Sequence, residues 1–173
     1  IDADEEVSPD LIGEMAALLH SAPSPAYKIR INDLVAGQRL HRWSRKRAIV
    51  RLFKKQRITY PTDRNVHENV IVDGEVGWLK NQIIHYGYSD VLIYFLKHVN
   101  YAGLRAKDKR AAGSTGSVTK LCIIAPLVFF KVFLLRGLFF SGWRGLIVAL
   151  TESFYAFAKE AALVAERSKH PDG

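Results

Sequence analysis

Between Leu121 and Leu135 the chain is almost wholly apolar, interrupted by Lys131, with Pro126 inside the run and Arg136-Gly137 after it. A clean membrane span needs roughly 20 apolar residues. This run is shorter and carries a charge. A second helix is expected after Ser141-Gly142, where Trp143, Leu146, Ile147, Leu150, Phe154, Phe157 and Ala161 fall on one stripe while Arg144, Glu152 and Lys159 lie away from it. Two aromatic-rich helices joined at a glycine fit a hairpin lying in a membrane interface over residues 119–168. The plainer alternative is a helical pair packed on the protein's own core.

The residues before this tail read as a different kind of structure, an α/β domain over 1–118 that ends at the Gly113-Ser114-Thr115-Gly116-Ser117 break. Val7 to Ser21 predicts a helix, with Ser8 as cap, Pro9 in the first turn, and Leu11, Ile12, Met15, Leu18 and Leu19 as its apolar face. Tyr27, Ile29 and Ile31 alternate with Lys28 and Arg30 as in a half-buried strand, and Ala48 to Phe53 reads as another. Val70-Ile71-Val72, Asp73-Gly74 and Glu75-Val76-Gly77-Trp78 predict a hairpin with a tight turn. A long helix is expected from a Ser89 cap to about Ala112.

At 173 residues and 49% hydrophobic, the chain can bury a real core and is no disordered tail. Its net charge is +8, with a pI near 9.7. No acidic residue occurs from Leu34 to Thr62, a stretch holding Arg39, Arg42, Arg45, Lys46, Arg47, Arg51, Lys54, Lys55 and Arg57. Such a block suits an anionic partner: nucleotide phosphates, acidic acceptor groups or membrane headgroups. A solvated basic surface explains most single members equally well. Arg51 is different, because it lies between apolar neighbours in Ile49-Val50-Arg51-Leu52-Phe53 and so needs a defined partner. One cysteine, Cys122, lies in an apolar run, which excludes an intrachain disulfide framework and reads as a buried small hydrophobe. The chain opens on Ile1 without a basic or apolar leader, and its one methionine is Met15, so it reads as a piece cut from something longer.

Two short patterns carry chemistry. Asp2-Ala3-Asp4 is an Asp-x-Asp pair. In extended backbone both carboxylates point to one side and could face one divalent ion, Mg2+ or Mn2+, of the kind that bridges the diphosphate of a sugar nucleotide. An acidic pair before a helix can also simply favour the helix dipole. Val66-His67-Glu68 pairs a carboxylate with a histidine, an arrangement open to general-base work or to a plain hydrogen-bonded pair at a strand start. No second histidine follows at the spacing of a zinc peptidase. His67 and His85 sharing a metal is a weaker reading still, for want of a third ligand.

The order of these pieces is more informative than any one of them. Ile1-Asp2-Ala3-Asp4-Glu5 with Val7-Ser8-Pro9 is followed by Arg51-Leu52-Phe53, Val66-His67-Glu68, and His85-Tyr86 with Tyr94, Lys97 and Tyr101. Arg136-Gly137, Gly142-Trp143, Gly145-Leu146 and an aromatic helix complete the series. This sequence resembles family 2 glycosyltransferases of the lipopolysaccharide-core type, near the inner-core β-1,4-glucosyltransferases, along essentially its whole length.

The resemblance implies the C-terminal part of a GT-A domain followed by amphipathic helices. It implies an inverting, metal-dependent enzyme that moves a hexose, glucose first among the choices, from a UDP-sugar to a lipopolysaccharide-core or other lipid-linked acceptor. On that resemblance Asp2 and Asp4 hold Mg2+ or Mn2+ and the diphosphate, Arg51 contacts phosphate or acceptor, Glu68 is the base, and His67 partners it. The site would lie at the cytoplasmic face of the bacterial inner membrane, with the chain peripheral and in contact with anionic lipid. The family's first half, with most of the nucleoside contacts, is not in this chain, so the chain alone is expected to be inactive. Trp43-Ser44-Arg45-Lys46-Arg47 also lacks the family's aspartate before the Arg-Leu-Phe. The competing reading is a non-catalytic basic module binding anionic membrane or nucleic acid. Nucleic acid is the weaker of these, since Trp43, Phe53 and Tyr60 are the few stacking aromatics in the block.

Overall fold

A computed structural model describes residues 1–60, 70–88 and 90–169, the side chains of residues 19, 20, 168 and 169 excepted. The chain divides into two compact units, one of Ile1–Arg39 and Lys46–Ser89, the other of Leu40–Arg45 and Asp90–Gly173. The first is α/β and the second helical, an α/β chain with C-terminal helices.

The first unit is built on β2 (Ala26–Val35), which runs parallel to β7 (Val76–Tyr88). On the other edge of β2 lie β4 (Ala48–Phe53) and β3 (Gln38–Arg39), both antiparallel. A short β1 (Glu5–Val7) closes the sheet antiparallel to the far edge of β7. Helix α1 (Pro9–Ser21) follows β1, and the Ser8 hydroxyl accepts the Leu11 N–H at 3.2 Å as its cap. Its Leu11, wholly buried, joins Tyr27, Ile29, Ile31, Leu79 and Ile83 in one core. Burying one such leucine is worth about 1.5–3 kcal/mol, and this cluster is what fixes α1 to one face of the sheet.

The hairpin expected over 70–78 does not form. Strand β6 (Ile71–Val72) pairs instead with β5 (Ile58–Thr59), and Asp73 donates its N–H to the Arg57 carbonyl at 2.9 Å. Strand β7 turns away to the long ladder with β2, which pairs far more backbone groups than a two-residue hairpin arm could.

In the second unit, α2 (Val91–Ala111) is capped by Asp90, whose Oδ1 accepts the Leu92 and Ile93 N–H groups at 2.8 and 3.0 Å. The expected cap, Ser89, lies outside the described residues. Helix α3 (Val118–Phe130) continues through a π-turn (Lys131–Leu135), giving 18 residues, long and apolar enough to cross a membrane, with 6% of them buried. A 3-10 turn (Leu138–Ser141) leads into α4 (Gly142–Lys169). The Leu40–Arg45 segment ties off this bend. Ser44 Oγ donates to the Gly137 carbonyl at 3.0 Å, and the Arg45 N–H donates to the Arg136 carbonyl at 2.7 Å.

Helix α4 packs with its large apolar stripe outward. Trp143, Leu146, Leu150, Phe154 and Phe157 are exposed. The buried side is Gly145, Val148, Ala149, Ser153, Ala156, Glu160 and Leu163. A Cβ on Gly145 would collide with the Leu138 carbonyl oxygen, so only glycine allows that close approach. Ser153 Oγ donates to the Ala125 carbonyl at 2.7 Å, and Arg136 grips both oxygens of Glu152 at 2.7 Å.

Glu14 stitches α1 to β7. Its two oxygens accept the backbone N–H groups of Lys80 at 2.7 Å and Asn81 at 2.9 Å. Partial burial opposes the charge, and these amide donors outweigh it, so the carboxyl titrates below its ordinary 4.5. A carboxylate with a depressed folded pKa contributes stability above its unfolded value and loses it as pH falls through the folded one. Glu14→Gln should therefore flatten the decline of stability below about pH 4.5, measured by urea unfolding at stepped pH. Parallel curves for the two proteins would show that the stitch carries no stability.

Candidate active site

Along one face of the sheet the inward positions read as rungs. Val7, Ile83 and Ile31 stand opposite one another across β1, β7 and β2 and are apolar. The next rung is Glu5, His85 and Asp33. The step of two that carries each strand from one rung to the next keeps the side chains on the same face. The polar rung is thus a direct extension of the hydrophobic core.

His85 lies at the centre. Its Nδ1 is 2.8 Å from Asp33 Oδ1, with both side chains almost fully buried. Asp33 Oδ1 also accepts from Arg47 Nε at 3.3 Å and from an Arg47 terminal nitrogen at 3.1 Å. Burial opposes the charge on Arg47, but Asp33 beside it prevails and holds the guanidinium above its ordinary value. On its other side, His85 Nε2 faces Asp4 Oδ2 at 3.3 Å. The Tyr88 ring meets the imidazole edge-on, with centroids 5.3 Å apart.

The Asp2-Ala3-Asp4-Glu5 segment is laid onto the edge of β7. The Tyr86 N–H donates to the Asp4 carbonyl at 2.8 Å, and the Glu5 N–H donates to the Asp2 carbonyl at 3.1 Å. Its carboxylates are sorted into two groups. Asp4 goes to His85, whereas Asp2 and Glu5 go to Arg51, at 2.9 Å and at 3.2 and 3.3 Å. Glu5 is almost completely buried there, with its side chain 2% exposed. A charge so placed depends on its partner, and removing one member of a buried pair costs about 3–5 kcal/mol. Arg51 reaches this position from a bulge. Tyr27 pairs with Leu52 and Lys28 with Val50, which leaves Arg51 as the extra residue. The need for a partner that its apolar neighbours imply is met by these two acids.

The extended backbone expected at Asp2-Ala3-Asp4 does not form: the Glu5 N–H bond to the Asp2 carbonyl closes a turn at Ala3-Asp4, and the two carboxylates face different partners instead of one side. Among the described residues no three His, Cys, Asp or Glu side chains are gathered as a complete cage for a metal ion. Mg2+ keeps several waters and takes substrate phosphate oxygens as ligands, so its sites use few protein groups. His67 and Glu68 lie outside the described residues. Asp33, Arg47 and the central role of His85 are not evident from the sequence motifs. A signal is nevertheless present: the apolar alternation of Ile29 and Ile31 runs into Asp33, and that of Ile83 into His85, at positions that must still point inward.

The basic block supplies a second cluster. Lys46 Nζ donates to Gln82 at 2.7 Å. Burial, then Arg39 and Arg30 close by, hold the Lys46 ammonium below its ordinary value. Such crowding of positive charge is relieved by an anion. Lys28 and Arg30 both lie over the exposed Trp78 ring, at 5.6 and 5.1 Å.

No protein-family model matches the chain, and no solved structure matches it. It is similar to the lipopolysaccharide core biosynthesis glycosyltransferase LpsC of Rhizobium meliloti (strain 1021), with 28% identity over 120 residues. The match covers 69% of this chain and 44% of that protein, so the chain spans less than half the length of the relative. The likeness supports a glycosyltransferase reading.

Gly87 marks how tightly the site is packed. A Cβ there would lie 2.6 Å from His85 Nε2 and 2.9 Å from Asp4 Oδ2. Gly87→Ala should push the imidazole off Asp33 and cost about 1–3 kcal/mol. Histidine side-chain 15N spectra should then lose the Nδ1–H shared with Asp33; an unchanged His85 signal would refute the packing.

Proposed function

We propose that the chain is part of an inverting glycosyltransferase of the family 2, GT-A type, which transfers a hexose, glucose first among the choices, from a UDP-sugar to a lipopolysaccharide-core or other lipid-linked glycan. The observation that carries this reading is the Asp2-Ala3-Asp4-Glu5 segment, fixed on the sheet edge with its carboxylates ordered by Arg51 and His85, in a chain similar to a lipopolysaccharide-core glycosyltransferase. A divalent cation, Mg2+ or Mn2+, bound by Asp2 and Asp4 would neutralise the leaving diphosphate. Arg51 is the proposed phosphate or acceptor contact beside them. Glu68, with His67 as its neighbour, takes the proton from the acceptor hydroxyl. The freed oxygen attacks the anomeric carbon as the bond to the nucleoside diphosphate breaks, and the configuration inverts.

In the enzyme carrying this chain, turnover of the UDP-sugar should vanish with EDTA and return with Mn2+ or Mg2+. Asp4→Ala and Glu68→Gln should each lower kcat/KM by about 10²–10⁴-fold. Full activity in either variant would remove that residue from its proposed role.

The second unit is proposed to lie in the cytoplasmic leaflet of the bacterial inner membrane, as a peripheral anchor. Its outward Trp143, Leu146, Leu150, Phe154 and Phe157 and the exposed α3 surface support this. Small residues lining a close helix contact are the packing habit of helices in lipid. Leu150→Glu with Phe154→Glu should cut co-sedimentation with phosphatidylglycerol vesicles at least tenfold while leaving helix content unchanged. Equal sedimentation would mean that this stripe does not meet lipid.

A further inference from the structure

We propose that the face of the sheet turned away from α1 is a second binding site, for a phosphorylated sugar, built from Lys28, Arg30, Lys46, Trp78 and Gln82. It is separate from the acidic segment and needs no divalent cation. The inference goes beyond the transfer reaction proposed above and does not rest on it.

The β2–β7 register sorts the side chains. Leu11 of α1 meets Tyr27, Ile29, Ile31, Leu79 and Ile83, so the residues that alternate with these stand on the other face. There Lys28 is paired with Trp78, and Arg30 with Gln82. On β4 the neighbours are small, Val50 beside Lys28 and Ala48 beside Arg30. Charge is sorted in the same way. Asp33, Asp4, Asp2 and Glu5 gather at the polar rung, with Arg47 and Arg51 paired to them. Glu6, opposite Ile84, does fall on the face of Lys28 and Arg30, and its carboxylate accepts the Tyr86 hydroxyl. Among the described residues Lys28, Arg30 and Lys46 make no ion pair: they meet the Trp78 ring and the Gln82 amide oxygen.

Three demands then fall on one ligand. The first is negative charge. Burial, then Arg39 and Arg30, hold the Lys46 ammonium below its ordinary value, a crowding that a phosphate with its two charges and three acceptor oxygens relieves. The second is an apolar surface. Trp78 is 53% exposed, and an indole face attracts the positive edge of C–H bonds. Lys28 Nζ and the Arg30 guanidinium lie 5.6 and 5.1 Å from the same ring, so the charge and the C–H face must belong to neighbouring parts of the ligand. The third is hydroxyl groups. Asn32 continues the row two residues beyond Arg30; it is 6% exposed, and its Oδ1 has no donor among the described residues. A phosphate dianion only accepts, whereas a hydroxyl also donates. Gln82, whose Oε1 accepts from Lys46 at 2.7 Å, keeps its amide N–H groups for the same hydroxyls. A phosphorylated sugar brings all three features, and inorganic phosphate only the first.

The test follows the Trp78 indole Nε1–H signal, assigned with Trp78→Phe, in the enzyme carrying this chain during titration with glucose 6-phosphate in EDTA. The signal should shift saturably, with glucose and inorganic phosphate each binding about tenfold weaker or worse. Lys28→Gln and Arg30→Gln should each weaken glucose 6-phosphate about tenfold. Lys55→Gln, the same change of charge outside this face, should not. The wild-type ranking of the three ligands is independent of how any variant folds. Equal affinity for glucose or for inorganic phosphate overturns the assignment. So does a Lys55→Gln loss as large as that of Arg30→Gln, which marks attraction to net charge alone. A Trp78 signal moved by phosphatidylglycerol vesicles but not by glucose 6-phosphate gives the face to the membrane and overturns it too. If glucose 6-phosphate binds while metal-dependent turnover of the UDP-sugar is missing, the transfer reading falls and this site stands; the converse removes this site alone.

Discussion

The parallel pairing of β2 with β7 is the constraint on which the first unit depends. Parallel strands require a long connection between them, and here that connection carries β3, β4 and the small β5–β6 sheet. Once the register is set with Ile31 beside Ile83, Asp33 must stand beside His85. A slip of β7 by one residue would send Ile83 to the opposite face together with the His85 imidazole. The core and the candidate site are therefore fixed by one interaction. Helix α1 adds Leu11 to the apolar rungs, and the polar rung continues the same face of the sheet. The burial that stabilises the sheet also holds a histidine between two carboxylates.

The second unit follows the opposite rule. Helix α4 brings Gly145, Ala149, Ser153 and Ala156 to its buried side beside Val148 and Leu163, and turns Trp143, Leu146, Leu150, Phe154 and Phe157 outward. In water such an arrangement forgoes much of the stabilisation that large apolar side chains would give if buried. Polar pairs supply part of the cohesion. Glu160, 1% exposed, accepts the Ser117 N–H at the start of α3 and pairs with Lys120 at 2.7 Å. There the charge also meets the positive end of the helix.

What the sequence discloses divides along the same lines. Helix α1, its Ser8 cap, the Ala48–Phe53 strand and the start of α4 near Gly142 are legible because periodicity and caps are local properties. The need of Arg51 for a partner is legible from its apolar neighbours, though not the partner itself. The hairpin expected over 70–78 is a false signal, because Asp73-Gly74 is a good turn pair and nothing local reveals that β7 has a longer partner in β2. The amphipathic stripe of α4 is plain in the sequence, but which face meets the protein is not, since periodicity marks the two faces without naming their surroundings. Asp33 and His85 are 52 residues apart, and only the β2–β7 register brings them together.

That register also changes the sense of the acidic motif. Read as sequence, Asp2 and Asp4 are equivalent, two carboxylates on one side of an extended segment. In the fold they are not. The bulge at Arg51 sends a guanidinium across to Asp2 and Glu5, and this pairing anchors the start of the chain segment to the sheet. Asp4 is left against His85, with part of its surface open. Asp2 is thus paired with a guanidinium and Asp4 with an imidazole. The basic residues nearby, often read as a surface for an anion, serve the acids first: Arg47 holds Asp33, and Arg51 holds Asp2 and Glu5.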